Sequence, residues 1–253
     1  MQTGIKATIR TLEEVSARAW PALETHIDDG WLLRFSEGYT RRANSVLPVY
    51  GSSRDVYRKI ADCEAYYRRH GQPAIFKLTP AAAPNDLDAI LAAKGYTRSY
   101  PAVSVQTCIA AYAHARPDAR VQMHADLSDD WLQAYADLNA IHEENRPILQ
   151  RMLARITTDG VYATIKIDGK VAAIGMGQRA DDYMGLFGIV TGADYRRRGL
   201  GRAMLNTLMH HAVSAGAQTL FLQVTHDNIP ARRLYAQLGF CEVYPYWYRT
   251  LAT

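Results

Sequence analysis

The chain has 253 residues, 48% of them hydrophobic, which is long for one ordinary domain and sufficient for two compact cores. Its formal net charge of +4 is dispersed except at Arg41-Arg42 and Arg196 to Arg198, so no nucleic-acid partner is expected. No stretch approaches the ~18 apolar residues of a membrane span, the opening MQTGIKATIR lacks the apolar core of a secretory signal, and Cys63, Cys108 and Cys241 show neither disulfide nor zinc spacing. The expectation is a cytoplasmic chain without membrane or metal partners, its cysteines buried and reduced.

In the first half, residues 31–35 and 39–46 read as strands, 55–70 as a helix, 74–78 as a strand and 87–94 as a helix. The polar side chains of 40–46 suit a half-exposed edge strand or the wall of a substrate cleft, and the edge strand is the simpler reading. A strand at 102–106 leads into a short polar stretch containing Pro117. That stretch marks a boundary, giving a first domain over 1–112, a linker over 113–119 and a second domain over 120–253.

The second half opens with a strand at 120–124 and helices at 129–141 and 147–156, joined by His142-Glu143-Glu144-Asn145-Arg146. Strands at 161–167 and 170–178 flank Asp168-Gly169, a pair suited to the positive φ angles of a tight hairpin, and 183–190 is the next strand. Arg196-Arg197-Arg198-Gly199-Leu200-Gly201-Arg202 then joins this strand to a helix in which Ala203, Met204, Leu208 and Ala212 recur at helical spacing. The first N–H groups of such a helix have no intrahelical partners and lie at the positive end of its dipole. Gly199 and Gly201 let a ligand approach the backbone closely, so the turn suits a pyrophosphate. Its spacing is neither G-x-G-x-x-G nor G-x-x-x-x-G-K-[ST], which disfavours a dinucleotide fingerprint and a nucleoside triphosphate loop. A strand at 220–224 and a capped helix from 228 to 240 complete the pattern.

Arg196-x-x-Gly199-x-Gly201 resembles the R/Q-x-x-G-x-G/A signature of the GNAT acetyltransferase superfamily. Leu222, Val224, Asn228, Ala231, Leu234, Tyr235, Gly239 and Phe240 match, in register, a second GNAT pattern, L-x-V-x-x-x-N-x-x-A-x-x-L-Y-x-x-x-G-F. The resemblance covers the chain from about Val121 onward. It implies an α/β fold in which a central twisted mixed sheet is flanked by helices, with acetyl-CoA as co-substrate.

The same resemblance distributes roles. Arg196, Arg197, Arg198, Gly199, Leu200, Gly201 and Arg202 would hold the coenzyme A pyrophosphate. The pantetheine arm would lie between splayed strands, with Gly188, Ile189 and Val190 on one side and Val224 and Thr225 on the other, one backbone N–H near Ile189 holding the thioester oxygen. Tyr235 would protonate or hydrogen-bond the leaving sulfur, since a phenol of pKa about 10 keeps its proton at neutral pH. Asn228 would cap its helix and touch the coenzyme. Strand 183–190 lacks the glutamate base of many GNAT members, leaving Asp181, Asp182, Glu143, Glu144, His142 and His226 open, with water as a further route. Glu143 and Glu144 are preferred because their loop borders the acceptor site in this fold, where acidic charge also attracts an ammonium group.

A shift of 144 positions lays Gly95-Tyr96 on Gly239-Phe240 and Tyr100-Pro101 on Tyr244-Pro245. The first half therefore reads as a second GNAT-like copy, degenerate because Val49 to Arg54 replace the glycine turn and Leu91 replaces Tyr235. The function expected is transfer of acetyl from acetyl-CoA to a primary amine of a small molecule or protein, by a monomer or homodimer. A non-catalytic acyl-CoA-binding scaffold is the alternative.

Overall fold

The computed structural model describes residues 2–110, 116–157 and 159–251, so part of the expected linker, 113–115, lies outside the described residues. In chain order the first elements are α1 (Gln2–Ala19), β1 (Glu24–Asp28), β2 (Trp31–Phe35), β3 (Ser45–Leu47), α2 (Val56–Arg69), β4 (Ile75–Leu78), α3 (Leu87–Ala93), β5 (Thr97–Arg98) and β6 (Val103–Ile109). There follow β7 (Val121–His124), α4 (Asp129–Leu138), α5 (Arg146–Leu153), β8 (Gly160–Ile167), β9 (Lys170–Ala180), β10 (Tyr183–Thr191), α6 (Leu200–Ser214), β11 (Thr219–Thr225), α7 (Ile229–Gln237) and β12 (Cys241–Thr250). The fold is mixed α/β, with mixed sheet flanked by helices.

The chain forms two compact units, but their division differs from the one expected. The first unit takes residues up to Val105 together with Thr225–Asp227 and Val243–Thr253, and the second takes Gln106–Val224 and Asn228–Glu242. The split thus falls inside β6 rather than in the polar stretch. The end of the chain belongs to the first unit because β12 pairs antiparallel with β4, Trp247 opposite Leu78 and Thr250 opposite Ile75. Sequence periodicity marks a strand but not its partner, so this pairing was not legible.

Within the first unit, Trp31, Leu33 and Phe35 alternate along β2 and meet Ile60, Cys63 and Tyr67 of α2 and Leu87 and Leu91 of α3. Arg34 of β2, Lys77 of β4 and Tyr244 of β12 engage α1 and the residue after it; α1 is an element the polar N-terminal sequence did not suggest. There Lys77 pairs with Glu13, Tyr244 donates to Glu13 at 2.7 Å, and the Arg34 guanidinium donates to the Ala17 and Trp20 carbonyls. The strand expected over 39–46 shrinks to β3 behind a one-turn helix at Arg41–Ala43. Asn44 is the reason: its Oδ1 accepts from the N–H of Ser36 and Gly38, and its amide donates to Thr40, a local alternative to the sheet ladder.

In the second unit β7, β8, β9 and β10 form an antiparallel meander, and β11 lies parallel to β10. The β8–β9 turn has positive φ at Asp168 and Gly169, as Asp-Gly predicts. Helix α6 packs Leu200, Met204, Leu205 and Leu208 on the sheet face carrying Val161, Ala163, Met184 and Leu186.

The order of the second unit recurs in the first. Val56 and Leu200, the first residues of α2 and α6, are 144 positions apart, as are Ile75 and Thr219, the first residues of β4 and β11. Each unit also sets a parallel strand pair beside these helices, β3 with β4 and β10 with β11.

Candidate active site

Strands β10 and β11 pair over only three positions, ending at Gly185 opposite Phe221. Beyond that point β10 runs on to Thr191 and β11 to Thr225 without pairing to each other. The two strands are therefore splayed, and backbone groups that a continuous ladder would consume stay available to an extended ligand.

A bulge sits on the splayed part of β10. Phe187 faces Met176 of β9 and Val190 faces Ile174, so Gly188 and Ile189 together oppose the single residue Gly175. Gly188 has φ +60°, a conformation glycine adopts without steric cost. Sequence reading placed Gly188 in the site but gave no sign of the bulge, because an isolated glycine does not distinguish a bulge from a close contact.

Past the splay lies a cleft of about 860 Å³. It is lined by Ile189 and Val190 of β10, by Arg196, Arg197, Gly199, Leu200, Gly201 and Arg202 of the glycine turn, and by Asn228, Leu234 and Tyr235 of the α7 region. The turn reaches left-handed φ twice, at Arg197 and Gly199, and no side chain caps α6. The first intrahelical bond from this end is Ala203 N–H to Gly199 O at 3.0 Å, so the N–H groups of Leu200, Gly201 and Arg202 precede the helical ladder. Together with the dipole of the 15-residue helix they suit an anion.

The arginines divide their work. Arg196 turns back to the Thr191 carbonyl, Arg198 lies over the Tyr195 ring 5.5 Å from its centroid, and Arg202 bonds Gln237. Asn228 caps α7, its Oδ1 accepting from Ala231 N–H at 3.2 Å, while also lining the cleft. Tyr235 is 91% buried yet borders the cleft, and burial raises its phenol above the ordinary value of 10.0. Its hydroxyl thus remains a proton donor at neutral pH.

Gly188, Arg198 and Thr225 do not line the cleft, and Thr225 falls in the first unit. Nor do Glu143 and Glu144. Glu143 borders a separate hollow between α4 and α5 and pairs with Arg146 at 3.1 Å, which also holds Asp137 at 2.9 Å, so its charge is locally compensated. Glu144 is exposed. Asp181 and Asp182 lie before β10, at the opposite end of that strand from the bulge. His142 and His226 are also absent from the lining.

A family model described as "Probable histone acetyltransferase Rv0428c C-terminal" matches residues 6–249. The chain belongs to this family of GNAT N-acetyltransferases. The acetyltransferase is 26% identical over 244 residues to the "Uncharacterized N-acetyltransferase YobR" of Bacillus subtilis, an alignment covering 95% of this chain and 98% of that protein. It is 43% identical over 75 residues to the "[Ribosomal protein bS18]-alanine N-acetyltransferase" of Escherichia coli, covering 30% of this chain and 51% of the other, so that match spans about half of the relative. In fold it resembles a GCN5-related N-acetyltransferase from Kribbella flavida, with TM-score 0.72 and 16% identity over 98% of this chain and 95% of that one.

The acetyltransferase's first unit treats the corresponding helix start differently. There the Asp29 carboxylate accepts from the N–H groups of Ser53 and Arg54 at 2.9 and 3.1 Å and from the hydroxyls of Ser52 and Ser53. These bonds hold Asp29 far below the usual carboxylate range. Asp55 caps α2 by accepting from Arg58 N–H at 2.9 Å. Where the second unit leaves its helix start uncapped, the first caps its own with Asp55 and ties down the preceding turn with Asp29.

Proposed function

We propose that this enzyme moves an acetyl group from acetyl-CoA directly to a primary amine, and that only its second unit carries the coenzyme. The observation supporting this reading is the coincidence, in one cleft, of an uncapped helix start, an unpaired stretch of splayed strand and a buried tyrosine hydroxyl. The Leu200, Gly201 and Arg202 N–H groups and Arg197 hold the pyrophosphate. Ile189 and Val190 bond the pantetheine as an added strand would, and a bulge N–H polarises the thioester carbonyl. The neutral amine attacks the carbonyl carbon, the C–S bond breaks, Tyr235 gives its proton to the departing sulfur, and the nitrogen loses its excess proton to water. The acceptor is a primary amine of a small molecule or of a protein, and the amine panel below distinguishes the two. The bS18-alanine relative supports including peptide α-amines beside small amines.

The experiment is incubation with acetyl-CoA and an amine panel, following free thiol and confirming the acetylated product by mass. Amine-dependent thiol release with matching product is expected. Tight acetyl-CoA binding with no transfer to any amine would move the reading to a binding scaffold. Absence of acetyl-CoA binding would remove the cleft assignment itself.

A further inference from the structure

We propose that Tyr135 of α4 is a positioning residue for the acyl-transfer step, acting through the bulge of β10. The inference rests on the reading of the cleft given above and concerns a residue that neither lines the cleft nor belongs to either glycine-rich motif.

The bulge is gripped from two directions. A Cβ on Gly188 would come within 2.6 Å of Tyr135 Cε2, so the tyrosine ring occupies the place of the missing side chain. A Cβ on Gly175 would come within 2.7 Å of Ile189 Cδ1 and 3.0 Å of Met204 Cγ, so the Ile189 side chain fills a matching notch beside α6. Two glycines thus each receive a neighbour's side chain, and the peptide between Gly188 and Ile189 is held by an aromatic ring on α4 and an aliphatic lock beside α6. Packing of this closeness leaves little freedom to rotate that peptide.

Tyr135 is itself anchored. Its ring stacks on Trp131 at 5.2 Å, and Trp131 is 99% buried with its indole N–H donating to the Ala163 carbonyl of β8 at 3.2 Å. The Tyr162 ring closes on Trp131 edge-on at 5.1 Å, and Ser128 caps α4 by accepting from Trp131 N–H. A continuous path of packed rings therefore runs from β8 through Trp131 and Tyr135 to the one irregular peptide of β10. Regular strand pairing would hold that peptide without such help. The interrupted ladder does not.

An N–H that polarises the thioester oxygen acts on the acetyl group and not on the rest of the coenzyme. Loosening it should therefore discriminate between acetyl-CoA and free CoA, whereas loss of general packing should not. The test uses the full chain carrying Tyr135→Phe, Tyr135→Leu or Tyr135→Ala, each checked for native circular dichroism. It measures Kd for acetyl-CoA and for CoA by calorimetry, and thiol release from acetyl-CoA with an accepted amine and with water alone.

The Phe variant keeps the ring and should behave like the parent within about twofold. The Leu and Ala variants should bind CoA as the parent does but lose the preference for acetyl-CoA, with kcat lower by about tenfold or more, since removing one such donor outright costs on the order of 10²–10³. Two results overturn the inference: folded Leu and Ala variants with unchanged kcat and an unchanged ratio of the two Kd values, or parallel weakening of both ligands. If the Ala variant does not fold, the Leu variant decides. Failure of the parent to bind acetyl-CoA would instead refute the proposed function, so the two failures are distinct.

Discussion

Tyr235 carries the sharpest expectation at the scale of single residues, because its ring and its hydroxyl do separate things. The ring packs edge-on against Phe240 at 6.1 Å and shares the core of Leu200 and Met204, while the hydroxyl of this cleft-lining residue is the proposed proton donor. Tyr235→Phe keeps the first and removes the second. The expected outcome is a kcat lower by about 10²-fold or more, within the range of a lost general acid, with acetyl-CoA affinity and Tm little changed. The pH profile adds a sign. Burial raises the phenol, so the proton is present at every pH below its ordinary value, and the alkaline fall in kcat belongs above pH ~10 and should vanish in the Phe variant. A fall centred near neutrality would assign that limb to another group. Tyr235 and Asn228 were both legible in the sequence, since the motif fixes their place on one helix. Glu143 was not: nothing in its neighbourhood along the chain signals that Arg146 also binds Asp137 and draws the loop into an ion-paired cluster.

Secondary-structure elements show which contrasts between the two units have a physical origin. Helices α2 and α6 start at equivalent positions, yet Asp55 caps one, behind a turn held by Asp29, and no side chain caps the other. Asp29→Ala should lower Tm, because Ser53 N–H loses its acceptor and Arg54 N–H is left with Ser52 Oγ alone, and should leave coenzyme affinity where it was. Gly199→Val should do the reverse in emphasis. Valine at φ +75° costs about 1–2 kcal/mol of backbone strain, and its branches crowd the approach of a pyrophosphate, so Kd for acetyl-CoA should rise tenfold or more. Calorimetry and thermal melts on both variants separate these outcomes, and equal effects on affinity would argue against one loaded unit. The sequence set Val49 to Arg54 where the second unit has its glycine-rich turn but did not show what holds that segment, since Asp29 reaches it from the other end of the β2–β3 excursion. The bulge of β10 was hidden for a similar reason, because it depends on a register set by β9 and on a ring supplied by α4.

Across the whole molecule, the assignment of Val243 onward to the first unit decides how the chain can be cut. Division at residue 112 would strip that unit of the strand beside β4, of the Tyr244 bond to Glu13, and of the Trp247 and Arg249 bonds to Asp88. Truncation after Glu242 should therefore expose the first 105 residues to limited proteolysis, while the cleft residues, all within Gln106–Val224 and Asn228–Glu242, remain more resistant. Equal resistance in the truncated and full chains would show that β12 is dispensable. Hydrophobic periodicity located most of the other elements within a few residues, but no local pattern can state that the last strand completes the first sheet. The arrangement also sets an order in time. A ribosome releases β4 long before it has made Trp247, so the earliest-synthesised sheet stands with an open edge throughout translation, and a strand edge left unpaired invites the wrong partner. The half of the protein that is born first is thus the half that cannot finish folding until β12 has left the exit tunnel.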